Sequence, residues 1–163
     1  MKTITIIAVL ILGIATIGKA EDARSPLIID AQPQWTVKFE GDKGIQFFTI
    51  ARTEGEPAHM MFSRWPAPGN NDQIHKLVES IAKGFAEQAK LNPAIKLDSD
   101  QYVIEKIKGI EFSGEYASFQ VSNGILQTIF MISNGDGIWS GQYSGSKERW
   151  IEAIDILKKI KKS

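Results

Sequence analysis

His59 and His75 are the only two histidines of the chain. Acid–base or metal chemistry near neutral pH would have to be built on one of them. His75 falls three residues after Asp72 and four before Glu79, a spacing that puts all three on one helix face. Such a face could hold a metal ion, but the chain lacks the His-Glu-x-x-His pattern that marks a built zinc helix. The expected reading is a solvated face without metal. Ser144, in Gly141-Gln-Tyr-Ser-Gly145, is the serine nearest a nucleophile context. It does not form the Gly-x-Ser-x-Gly elbow, and it stands just ahead of a helix that Ser146 is placed to cap. Asp98-Ser-Asp100 and Asn134-Gly-Asp-Gly137 carry calcium-like oxygens without the Glu that closes an EF-hand loop, so both read as turns. No phosphate-cradling glycine loop or dinucleotide fingerprint is present. No cysteine is present either, which excludes disulfides, zinc fingers, iron–sulfur centres and thiol nucleophiles. The expectation is no catalytic residue, no metal and no cofactor.

One segment is less expected. His59, Met61, Ser63 and Trp65 alternate with Met60, Phe62 and Arg64, so a strand here places the first set on one face and the second on the other. Trp65 then runs into Pro66-Ala67-Pro68. Methionine is adaptable, and tryptophan dominates interface hot spots. Two prolines stiffen the loop and lower the ordering cost of a contact. A binding surface would therefore comprise Trp65, Pro66, Pro68, His59 and Met61. The competing reading is that helices cover both faces and these residues are core, the usual fate of such stripes.

The elements that would position these residues are legible from periodicity. Trp35–Phe39 alternates with period two, Gly41–Gly44 turns, and Ile45–Ala51 is a second strand, giving a hairpin. Ala58–Trp65 is a third. Asn70 and Asn71 open a helix with its apolar stripe at Ile74, Leu77, Val78, Ile81 and Phe85, running to about Ala89 and stopped by Asn92-Pro93. Tyr102–Ile107 is a strand. The next, Ile110 to Val121, changes apolar phase between Tyr116 and Ala117, which predicts a bulge near Gly114. Asn123-Gly124 signals a hairpin into Ile125–Ile132, apolar on both faces as a covered central strand should be. Trp139–Tyr143 is the last strand. A final helix follows Ser146 with Trp150, Ala153, Ile154, Leu157 and Ile160 as its stripe, and with Lys158, Lys159, Lys161 and Lys162 at its positive-preferring end. The expected fold class is α+β: an antiparallel β-sheet flanked by helices, in the order βββ-α-ββββ-α.

The chain has 163 residues, with 19 basic and 19 acidic side chains. This balance argues against a dedicated nucleic-acid binder, which carries a basic face. Lys2, the uncharged run Thr3–Ile17 and the small residues Gly18 and Ala20 form the pattern of a secretory signal peptide cleaved after Ala20. The run is shorter than the roughly 20 apolar residues of a membrane span. Residues 1–20 are thus expected to be a signal peptide, followed by a polar leader, and residues 21–163 a single α+β domain held by packing alone. The expected location is periplasmic or extracellular. The C-terminal lysines could touch anionic lipid, but dipole complementarity already accounts for them, so membrane contact is not expected.

The opening Trp35-Thr-Val-Lys-Phe strand, the single mid-chain helix Asp72–Ala89 and the closing Gly137-Ile-Trp-Ser-Gly-Gln-Tyr-Ser-Gly-Ser before a helix with Trp150 resemble the Mog1/PsbP-like α/β/α sandwich. The resemblance extends from about Leu27 to the end. It implies a binding or assembly protein rather than an enzyme, and transfers no functional residue. The expected function is an exported, non-enzymatic binding or accessory protein acting on a partner protein or small ligand, such as another envelope protein. The alternatives are a small periplasmic hydrolase with an unrecognised site, or an immunity-type protein against a toxin.

Overall fold

A computed structural model describes residues 25–41, 46–65, 69–92, 95–99, 101–121 and 124–163. The signal-peptide reading, Pro66 and Pro68 fall outside these residues. Among the described residues the chain is α+β, with a large antiparallel sheet and two helices. Strands β2 (Trp35–Gly41), β3 (Gln46–Arg52) and β4 (His59–Trp65) precede helix α1 (Asn71–Leu91). Strands β5 (Ile104–Lys108), β6 (Ser113–Val121), β7 (Ile125–Ser133) and β8 (Ile138–Gly145) lead to α2 (Lys147–Lys159). The sheet order is β2-β3-β4-β8-β7-β6-β5. Two further short strands, β1 (Leu27–Ile28) and β9 (Lys161–Lys162), pair with each other and clasp the two ends of the described chain.

The expected bulge is absent. β6 pairs with β7 without interruption from Ser113↔Ser133 to Val121↔Ile125. The change of apolar phase has another cause: the strand is covered on both faces. Tyr116 belongs to the core under α2, while Ala117 and Phe119 belong to the core under α1. An apolar residue is therefore wanted at both parities.

Helix α1 starts where Asn70 Oδ1 accepts the Gln73 N–H at 2.8 Å, with Asp72 in the first turn facing the positive helix end. Its buried line is Ile74, Val78, Ala82, Ala86 and Ala89, and the larger Leu77, Ile81 and Phe85 are only half-buried beside it. Alanines at the contact let the helix lie close to the sheet, so the bulkier residues are pushed to its flanks. Helix α2 is capped by Ser146, whose hydroxyl accepts from the Arg149 N–H at 3.4 Å. It buries Trp150, Ala153, Ile156 and Leu157. It ends at Lys159, so Lys161 and Lys162 lie in β9 and not on the helix end. No helix among the described residues is long and apolar enough to cross a membrane.

The core on the α2 side is aromatic. Phe48 stacks on Phe62 with ring centroids 5.1 Å apart, and Trp139 meets both edge-on. Gly141 sits between Phe62 and Phe130, where a Cβ would collide with both side chains. Trp150 brings α2 onto the rings of Tyr116 and Tyr143. Glu152 ties the same helix to the far hairpin: it accepts from Trp35 Nε1 at 3.1 Å and pairs with Arg52 and Arg149. Burial pushes the Glu152 carboxyl up, but bonds from Arg149 and Trp35 and the two guanidinium charges outweigh this and hold it below its ordinary range.

Candidate functional site: the open half of the sheet

The two helices do not cover the sheet equally. On its own face α1 packs over β6 and β7 and reaches Ile138 at the start of β8. Among the described residues no helix lies above the same face of β2, β3, β4 and most of β8, although the small Ser140 and Ser144 of β8 are buried between larger neighbours. Register decides what lies there. His59, Met61 and Ser63 of β4 are flanked on β3 by Ala51, Thr49 and Phe47. On β8 they are flanked by Ser144, Gln142 and Ser140. The opposite parity of β4 is sealed at Met60, 0% exposed, and Phe62, 2% exposed, and opens only at Arg64 near the strand end, whereas Met61 is 38% exposed.

The sheet therefore brings His59 and Met61 together on an open face, as the alternation in the sequence implied. Trp65 lies at the end of the same row, half-buried against the α1-side core. It stands between the open face and the helix. Burial alone shifts the His59 imidazole, lowering its pKa from 6.5 because the charged form is partly desolvated.

The face is nearly uncharged. Phe47, Thr49, Ala51, Met61, Ser63 and Gln142 form its middle, and its only described charges are Lys38 and Glu40 on the outer strand β2, which pair with each other. His59 and Ser144 are cross-strand neighbours here, a juxtaposition invisible in sequence, where they are far apart. They do not form a hydrogen bond; the Ser144 hydroxyl instead accepts from Gln127 Nε2 at 2.7 Å. A serine without a base to take its proton is not an activated nucleophile.

The other histidine has a partner that its helix spacing does not show. His75 lines a cleft together with Asp72 of its own helix, and its Nδ1 lies 2.7 Å from Glu115 Oε2 on β6. Among the described residues no cluster of three or more His, Asp or Glu could hold a metal ion. The pair stands at an open cleft of about 440 Å³ between the start of α1 and the β5–β6 edge, with Lys76 and Lys106 at its walls. Glu115 went unnoticed in the sequence. The signal was a carboxylate inside Gly114-Glu-Tyr-Ala-Ser-Phe, a run otherwise suited to a covered strand; Glu115 is only 9% exposed. No protein-family model matches the chain, and a search of curated proteins finds no match.

Proposed function

We propose that this chain is an exported, non-enzymatic binding protein that engages a partner protein of the cell envelope through the open half of its sheet. The observation that carries this reading is the uneven cover. Four strands present a neutral, partly apolar face with Met61 at its centre. An open face shared by four strands suits a protein surface better than a small ligand, which needs a concave site. Trp65 at the margin, followed in the sequence by Pro66-Ala67-Pro68, adds an aromatic anchor of the type that dominates interfaces. Export rests on the leader pattern of residues 1–20. The placement of one helix on each side of an antiparallel sheet supports assignment to the Mog1/PsbP-like sandwiches.

The test is site-specific photo-cross-linking in the expressing cell, with the probe at Thr49 on the open face or at Glu87 on the outer side of α1. An adduct of one defined mass is expected from Thr49 alone. Met61→Glu should abolish that adduct without changing the melting temperature. Equal cross-linking from both positions, or an adduct indifferent to Met61→Glu, would overturn the proposal.

A second reading has one observation in its favour. The His75–Glu115 pair is a base with an orienting acid beside a cleft, the arrangement a small hydrolase would use to activate water. His75→Gln should then remove a hydrolytic activity while leaving cross-linking from Thr49 intact.

A further inference from the structure

The sheet has two edges, β2 and β5. We propose that β2 is the site of self-association, where two copies pair antiparallel about Phe39 to form one continuous fourteen-stranded sheet.

The backbone supplies the first argument. In an antiparallel ladder, alternate residues direct their N–H and C=O groups to one side. The Thr53 N–H bonds to the Gln34 carbonyl at 2.9 Å, so Gln34 and the even-numbered residues of β2 face β3. Val37, Phe39 and Gly41 therefore direct their backbone groups outward, and among the described residues no strand meets them. A second β2 laid antiparallel meets these groups with its own only if odd residues face odd residues.

Among the registers centred on Lys38, Phe39 and Glu40, which pair the strands over most of their length, charge selects one. Centring the two-fold axis on Lys38 would set Lys38 against its own copy. Centring it on Glu40 would set two carboxylates against each other. Like charges directly opposite across strands are destabilising. Centring it on Phe39 sets Lys38 of each chain opposite Glu40 of the other, twice. Since Lys38 and Glu40 already pair within the strand, the dimer would close an alternating ring of four charges on that face. On the other face, Val37 and Phe39 are half-buried apolar residues at the margin of the core, and the same axis brings Phe39 onto its copy.

The arrangement also has a consequence for the open face, although it does not depend on the binding role of that face. The half of the sheet free of α1 is the half that ends at β2. Joining two copies there places both open halves side by side, with the two α1 helices at the far ends. The result is an uninterrupted platform eight strands wide, roughly 38 Å across at the usual strand spacing.

The test is sedimentation equilibrium of the protein as purified from the expressing cell, at high micromolar concentration. A dimer is expected. Lys38→Glu and Glu40→Lys should each weaken it about tenfold or more, because each replaces two attractive contacts with two repulsive ones. An equimolar mixture of the two variants should recover the dimer, since every Glu then faces a Lys. The double variant carrying both changes should recover it alone. Unchanged melting temperatures for the single variants would show that they fold. A monomer at all concentrations, or a dimer that neither charge reversal weakens, would overturn the proposal.

Discussion

Met61 lies between two neighbours sealed in the core, yet its own side chain is the most exposed large apolar group of the sheet interior. Adjacent residues on a strand differ in this way whenever only one face is covered. Met61→Glu is expected to change unfolding free energy by no more than about 0.5 kcal/mol, as other surface changes do. Met60→Glu, one position away, should prevent folding, because it places an unpaired charge among Phe48, Phe62 and Tyr143. Denaturant titration of the two variants checks the assignment of faces. His59 on the same row makes a different prediction. Its folded pKa lies below 6.5, the unfolded value, so the folded state takes up its proton later on acidification. The stability this contributes is present above pH 6.5 and is lost as pH falls from there through the depressed folded value. His59→Gln should flatten the fall of stability with acid across this window. A parallel pH dependence in both proteins would show that His59 does not titrate as argued.

Helix α2 holds its place through a short list of side chains. Leu157 is 0% exposed, and Leu157→Ala should cost about 2–5 kcal/mol, the range for deleting a large side chain from a packed core. A melting temperature unmoved by this change would mean that the helix is not docked on the sheet as described. Both helices and the long strands are legible in the sequence, because each writes its own period along the chain. Trp150, Ala153 and Leu157 follow the helical repeat, and Trp35 to Phe39 alternate. The features that escaped were those decided by what lies across from a strand. Tyr116 and Ala117 look like a slipped register until both faces of β6 are known to be covered. The alanines of α1 carry little hydropathy, so Leu77 and Phe85 drew the stripe toward themselves. Glu115 and His75 belong to different elements, and only the placement of α1 over β6 joins them. The row His59, Met61, Trp65 was visible as a row, but no local pattern tells whether a helix covers it.

The whole molecule is unequal from one side of the sheet to the other, and that inequality makes its own prediction. Toward β7, the strands are roofed by α1 on one face and by α2 on the other; Thr128, Phe130, Met131, Ile132 and Ser133 are all buried in a single strand. Toward β2 only one face is roofed, and the outer edge has no neighbouring strand among the described residues. Local opening costs least where few apolar contacts must be broken. Backbone amide exchange should therefore be slowest in β7 and in the parts of β6 and β8 beside it, intermediate in β3, and fastest in β2. Within β2 a finer order is expected. The amides of Lys38 and Glu40 point to β3 and should exchange more slowly than those of Val37 and Phe39, which point outward. If two copies pair through this edge, the Val37 and Phe39 amides should gain protection as protein concentration rises, while those of β7 stay unchanged. Exchange in β2 and β3 as slow as in β7 even at high dilution would mean that the exposed half is closed in the isolated chain. That outcome would remove the physical basis for reading it as a surface that another protein covers.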